Sequence, residues 1–174
     1  MDPYKEELVS SLFFAIDNGL ANVVQDLLQY LDPSTREPCL GRTALHLAVK
    51  KNNYNITLIL LENGADVDAV SKDNLTALHI AVGNQSSKIV QLLLQFKANV
   101  NHRAKFCGKT ALYMAVEYNN LDIADMLLSA GASIRHACTP NTTVFDVAER
   151  IGSSGMTQLL FKYDRIRVRL AMID

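Results

Sequence analysis

Histidine and cysteine are the residues of this chain whose types most readily support catalysis or metal binding. His46 and His79 occupy the same place in two copies of a Thr-Ala-Leu-His sequence. The three cysteines, Cys39, Cys107 and Cys138, are an odd number and show no Cys-x-x-Cys spacing. This pattern suits reduced thiols better than a zinc site or a disulfide framework. We therefore expect no metal site and no cofactor.

The two histidines are better explained by a structural role than by catalysis. Tyr113 and Asp146 fill the equivalent place in later copies of the motif, without a coordinated replacement elsewhere. The sequence contains no nucleophile–base–orienter set, phosphate-binding glycine loop or catalytic carboxylate pair. We predict that the protein is not an enzyme and has no catalytic residues.

Composition and charge describe an ordinary globular chain. Its 174 residues are 49% hydrophobic and 20% charged, with a formal net charge of −1. Phosphate-backbone binding depends on a clustered excess of lysine and arginine, so we expect no nucleic acid partner. No stretch approaches the roughly 18 apolar residues of a membrane span, and the first residues lack a secretory signal pattern. We expect a cytoplasmic or nuclear location and no membrane partner.

The positions of the histidine motifs reveal an internal repeat. Thr43, Thr76 and Thr110 begin matching sequences and lie 33 and then 34 residues apart. Weaker copies begin at Ser10 and Thr143, each 33 residues from the nearest of these. Pairs of bulky apolar residues follow in the same register: Leu27-Leu28, Leu60-Leu61, Leu93-Leu94, Leu127-Leu128 and Leu160-Phe161. Two features with one period predict five structural units.

These residues resemble the ankyrin repeat, whose signature is a Thr-Pro-Leu-His-x-Ala helix start, a second helix with Leu-Leu, and a Gly-Ala-Asp-Val-Asn ending. Residues 63–68 and 130–134 are similar to that ending. The resemblance implies an all-α repeat solenoid of about five stacked repeats, each a helix-turn-helix with a β-hairpin loop, with degenerate caps at the ends. It implies one domain, 1–174, with units at about 3–38, 39–70, 71–104, 105–137 and 138–171.

Local propensities agree with this register. The repeated threonines are suited to cap first helices that begin at the following alanines. Leu45, Ala48 and Val49 recur at helical spacing and predict the core. The first helix ends in glycine or asparagine in four units, and in Gln85 in the remaining one.

The connection between the third and fourth units departs from the pattern. Lys97 stands where other units have Gly64 and Gly131, and one extra residue lies between Val100 and Thr110. We expect an irregular hairpin there.

The resemblance implies that a partner protein binds in a concave groove formed by the hairpin tips and the exposed side of the first helices. Mapped onto this sequence, the partner-binding residues are Arg42, Lys50, Lys51, Lys72, Asp73, Leu75, Asn84, Arg103, Phe106, Lys109, Glu117, Tyr118 and Arg150. We expect Arg103, Phe106 and Tyr118 to contribute most, because arginine and aromatic side chains dominate interface energetics. In the alternative, Phe106 packs under its own hairpin and Tyr118 covers a neighbouring helix.

The C-terminal segment 162–170 alternates arginine with apolar residues at a spacing of two. One interpretation is an edge that recruits a partner or an acidic surface. The favoured one is a polar end cap whose apolar residues pack against the fifth unit.

Residues 41–49 and 60–67 resemble an internal repeat of the NF-κB inhibitors. That resemblance implies a signalling inhibitor that sequesters a Rel/NF-κB-type transcription factor, with a role in host–virus interaction if the chain is similar to the shortened viral relatives. The Asp-Ser-Gly degradation motif and the acidic Pro-Glu-Ser-Thr tail of the full-length inhibitors are missing from this sequence.

The alternative function is an adaptor or scaffold that links a client protein to a ubiquitin ligase or a kinase complex. A ligase adaptor needs a second recruiting element, which the arginine-rich ending does not resemble. In either role we expect a monomer or a weak homo-oligomer.

Overall fold

The computed structural model describes residues 3–37, 41–105, 108–135 and 142–170, and the side chains of 4–166 within those ranges. The described residues form ten helices in five consecutive pairs. Their bounds are α1 Pro3–Asp17, α2 Ala21–Leu27, α3 Ala44–Lys50, α4 Tyr54–Glu62, α5 Ala77–Gly83, α6 Ser87–Gln95, α7 Ala111–Glu117, α8 Leu121–Ser129, α9 Val144–Arg150 and α10 Ser154–Leu170. The prediction of an all-α repeat fold is confirmed.

The chain divides into two compact units, residues 1–99 and 100–174, called unit 1 and unit 2 below. In unit 1, α3 packs between α1 and α5, and α4 packs between α2 and α6. In unit 2, α7 packs on α9 and α8 packs on α10. First helices therefore lie beside first helices, and second helices beside second helices, within each unit. The single domain and the five unit boundaries stay predictions.

Threonine caps start the first helices where the sequence predicts them. Thr43 and Thr110 accept a hydrogen bond from the backbone N–H of the third helical residue, and α3 and α7 begin at the following alanine. Thr43 also belongs to a capping box with His46. Such a cap satisfies one of the orphan N–H groups of the first turn.

Each first helix ends in a left-handed residue. Gly19, Asn52, Asn119 and Gly152 have φ between 53° and 72°, as the sequence predicts. Gln85 adopts the same conformation, with φ 55°, although its side chain disfavours it. All five turns therefore share one backbone geometry, which the repeat imposes on the glutamine.

The connection that follows α6 is more regular than the sequence suggests. Lys97 has φ 64° and adopts the left-handed conformation of Gly64 and Gly131, so the substitution leaves the turn intact. Further along, the Ala104 N–H donates to the Lys109 carbonyl at 3.0 Å. The expected irregularity of the hairpin itself stays a prediction, because residues 106 and 107 lie outside the described residues.

The cores of both units lie between the first and second helices. Leu45, Leu78 and Leu112 are at most 1% exposed, and Ala48 and Val49 are fully buried. These are the positions that the helical spacing predicts for the core.

The outermost helices depart from the repeat pattern. α1 begins at Pro3, well before the position equivalent to Ala44, which is Ser11. The segment that alternates arginine with apolar residues is helical, because α10 continues to Leu170. The twofold spacing therefore does not correspond to the alternating faces of a strand. Both interpretations of the segment, an edge that recruits a partner and a polar end cap, stay predictions.

Candidate functional site

A row of apolar side chains runs across the first helices of unit 1. Phe14, Leu47 and Ile80 are equivalent residues, each 33 positions from the next. Phe14 is 66% exposed, and the other two are half-buried. Because α1, α3 and α5 pack side by side, these residues form one apolar strip on that face. The sequence analysis missed this strip, although Leu47 and Ile80 each lie one helical turn before a residue assigned to partner binding.

Charged and polar residues border the strip at the helix ends. Lys51 forms a 2.6 Å ion pair with Asp17 of the neighbouring helix, and Lys50 is exposed. Asn84 is exposed, but its amide donates to the backbone carbonyl of Val49 at 2.9 Å. Lys51 and Asn84 therefore join neighbouring repeats, in addition to lying on the candidate surface.

The hairpins of unit 1 are joined by hydrogen bonds on the other side of the strip. Arg36 donates to the carbonyl of Gly41 at 2.8 Å and to that of Val70 at 2.6 Å. The residues that the sequence assigns to these tips differ in exposure: Lys72 and Asp73 are exposed, and Arg42 and Leu75 are half-buried. Because these hydrogen bonds hold the hairpin backbone in place, less conformational entropy is lost when a partner binds.

In unit 2, two of the predicted residues pair with each other. The Lys109 ammonium group lies 2.9 and 2.7 Å from the two carboxylate oxygens of Glu117. The same ammonium lies 5.3 Å from the centre of the buried Tyr113 ring. The opposite charges of Lys109 and Glu117 therefore largely neutralise each other on the surface offered to a partner. The ion pair also joins the hairpin to α7.

Three further predicted binding residues of unit 2 are exposed. Tyr118 is 45% exposed at the end of α7, and Met114, one turn earlier, is half-buried. Arg103 is exposed and donates from Nε to the Gly108 carbonyl at 3.3 Å. Arg150 is exposed at the end of α9. Phe106 lies outside the described residues.

The histidines have the structural role that the sequence predicts. His46 is fully buried, and its Nδ1 accepts from the Thr43 N–H at 3.2 Å. Its Nε2 then carries the proton and donates to the carbonyl of Leu75 at 2.9 Å. Burial lowers the pKa of His46, since desolvation disfavours the charged ring. The neutral histidine thus joins its own helix cap to the next hairpin.

Asp146 stands in the last repeat where α3 and α5 carry histidine. The Asp146 carboxylate accepts from the Thr143 hydroxyl at 2.7 Å and from the Thr143 N–H at 2.6 Å. These hydrogen bonds lower the pKa of Asp146, because they stabilise the ionised carboxylate. This arrangement is a capping box at the start of α9.

In the described ranges, no group of three or more histidine, cysteine or acidic residues could hold a metal ion. No helix among the described residues combines the length and the apolar character that a membrane crossing requires.

Two family models match the sequence. A model described as ankyrin repeats (3 copies) matches residues 66–138, and one described as ankyrin repeats (many copies) matches residues 27–81. Together they extend over 27–138, which includes most of the residues described above.

Curated relatives match through part of their length. Ankyrin repeat and SOCS box protein 3 of Bos taurus is 48% identical over 93 residues, which are 53% of this chain and 18% of that protein. A Danio rerio protein that carries the name palmitoyltransferase ZDHHC13 is 31% identical over 166 residues, 93% of this chain and 26% of that protein. Nuclear factor NF-kappa-B p105 subunit of Mus musculus is 33% identical over 124 residues, 69% of this chain and 13% of that protein. The matched segments thus span about a quarter or less of these relatives.

Proposed function

The chain belongs to the ankyrin-repeat family, and on that premise we propose that it binds a partner protein through its first-helix and hairpin faces. Ankyrin repeats serve protein–protein interaction and are typically not enzymes. The observation that carries the proposal is the apolar strip of Phe14, Leu47 and Ile80 beside ordered hairpins in unit 1. An exposed apolar surface rimmed by polar groups is typical of a protein-binding site.

The partner we propose is a Rel/NF-κB-type transcription factor, which the chain would inhibit by sequestration. The similarity to p105, at 33% identity over 124 residues, supports this choice. Lys50 and Lys72 are exposed on the candidate surface and suit an acidic segment of the partner. Sequestration needs no catalytic group, only a surface that occupies the factor's dimerisation and import region.

A purified Rel-homology dimer on labelled DNA tests this proposal. We expect the chain to release the DNA, and the double variant Arg103→Ala, Tyr118→Ala to need at least about 10-fold more protein, which corresponds to about 1.4 kcal/mol. Tyr54→Ala is the matched control, because Tyr54 is 41% exposed but begins a second helix. It should act like the unmodified chain. A folded chain that fails to displace the DNA at any concentration would refute the Rel assignment.

An adaptor function is the second candidate. The relative at 48% identity over 93 residues carries a SOCS box in its name, which favours delivery of a client to a ubiquitin ligase. An adaptor brings two proteins together, whereas a sequestering inhibitor occupies one. Co-precipitation of ligase subunits with a client would support the adaptor, and a one-to-one complex with the client alone would contradict it.

A further inference from the structure

The first and last helix pairs of the chain expose apolar residues whose counterparts in other repeats are buried or half-buried. Val23 of α2 is 43% exposed, whereas its counterparts Ile56, Ile89 and Met156 are at most 1% exposed. Phe161 of α10 is 52% exposed, whereas Leu61 and Leu128 are 4% and 2% exposed, and Leu28 and Leu94 are half-buried. Each of these counterparts lies in, or directly after, a helix that packs against another repeat of its own unit. Each outer face is therefore one half of a repeat–repeat contact.

The N-terminal face, on α1 and α2, has Val23 at its centre. A shallow cleft of about 400 Å³ is lined by Gly19, Leu20, Ala21, Asn22 and Val23, and Leu20 is 44% exposed. Ser11 is exposed beside it, where α3 and α5 have the buried Ala44 and Ala77.

The C-terminal face, on α9 and α10, has Phe161 at its centre. The rings of Phe161 and the half-buried Phe145 have their centres 4.9 Å apart. An open cleft of about 490 Å³ adjoins them, with Gly152 and Thr157 among its lining residues. This face offers an apolar centre and room for side chains from a facing helix.

The two faces carry opposite charge at matching ends of their helix pairs. The early start of α1 at Pro3 adds Lys5, Glu6 and Glu7, which are all exposed and carry a net charge of −1. The late end of α10 adds Arg165, which is exposed. The start of a first helix and the end of a second helix lie at the same end of an antiparallel pair, so stacking would bring these charges close together.

We propose that the C-terminal face of one copy stacks on the N-terminal face of a second copy. In this arrangement α9 and α10 of one copy pack against α1 and α2 of the second copy. The contact repeats the one within unit 2, where α7 packs on α9 and α8 packs on α10. Phe161 is then covered by Val23, and Arg165 pairs with Glu7. Because the two faces differ, the contact is heterologous and each added copy presents a new free face.

Sedimentation velocity of the full chain, from about 10 µM to about 1 mM, tests the proposal. We expect the mean mass to rise with concentration beyond that of a dimer, and to fall when salt screens the charges. Val23→Asp and Phe161→Asp should each stay monomeric. Tyr54→Asp and Tyr118→Asp are the controls, because these tyrosines are 41% and 45% exposed outside the two faces, and they should associate like the unmodified chain.

Mixing the two monomeric variants gives the sharpest result. Val23→Asp keeps its C-terminal face and Phe161→Asp keeps its N-terminal face, so the mixture should form one-to-one dimers that do not grow. Reversing charge in Glu7→Lys should weaken association, and Arg165→Glu in the same chain should restore it. A chain that is monomeric at 1 mM, a mixture that stays monomeric, or association lost equally in the tyrosine controls would overturn the proposal.

This proposal and the partner-binding function fail independently. Phe161→Asp should abolish self-association and leave partner binding unchanged, whereas Tyr118→Ala should weaken partner binding and leave self-association unchanged.

Discussion

Acidification should destabilise the protein through His46. This ring is fully buried, accepts from the Thr43 N–H at 3.2 Å and donates to the Leu75 carbonyl at 2.9 Å. Protonation of Nδ1 would remove the acceptor and place a charge in the core. Burial therefore holds the pKa of His46 below its usual 6.5 in the folded chain.

The sign and size of the effect follow from this lowered pKa. Between 6.5 and the folded value, the unfolded chain binds a proton that the folded chain does not, so the unfolding free energy falls as the pH falls. The stabilisation is fully present above about pH 7. Because the unfolded histidine has a pKa near 6.5, His46 lowers the unfolding free energy by at most about 1.4 kcal/mol between pH 7.5 and 5.5.

Urea unfolding of the intact chain and of His46→Gln, at pH 7.5 and 5.5, measures this contribution. We expect the variant to be less stable at pH 7.5, because glutamine cannot reproduce both hydrogen bonds. Its further loss at pH 5.5 should be smaller than that of the intact chain, by at most about 1.4 kcal/mol. Equal pH dependence in the two proteins would refute the argument that a neutral, buried His46 joins the helix cap to the hairpin.

Three further substitutions test the repeat geometry through the urea midpoint. Leu78→Ala, at a side chain 1% exposed, should cost about 2–5 kcal/mol, and a loss below 1 kcal/mol would contradict the assigned core. Gln85→Gly, at φ 55°, should stabilise the chain by about 1 kcal/mol, and destabilisation would show that the glutamine side chain outweighs the backbone strain. Asn84→Ala should cost about 0.5–1.5 kcal/mol because it removes the bond to the Val49 carbonyl, and an unchanged midpoint would mean that water replaces it.

The sequence predicts the helices well because each depends on local chemistry that the repeat copies. The threonine caps, the buried leucines such as Leu45, and the left-handed helix ends are properties of a few neighbouring residues. The start of α1 and the end of α10 could not be predicted in this way. Both helices extend beyond the repeat register, and the repeat pattern does not specify where the first helix of the chain begins or the last one ends.

The candidate surface was predicted in part. The helix period is sufficient to place Lys50, Glu117 and Tyr118 on the first-helix ends, and it could also have identified Leu47. The pairing of Lys109 with Glu117 depends on how the hairpin folds over α7, which spacing does not specify. The bond of Arg36 to Val70 likewise depends on tertiary contact between two hairpins.

Affinity capture tests most directly whether the chain works by binding a protein through its first-helix and hairpin faces. The baits are the intact chain, the Tyr54→Ala control, and a triple variant with Arg103, Phe106 and Tyr118 changed to alanine, each checked for folding, with mass spectrometry of the retained proteins. We predict a partner that the intact chain and the control retain and the triple variant loses. Identical captures from all three baits would contradict the account.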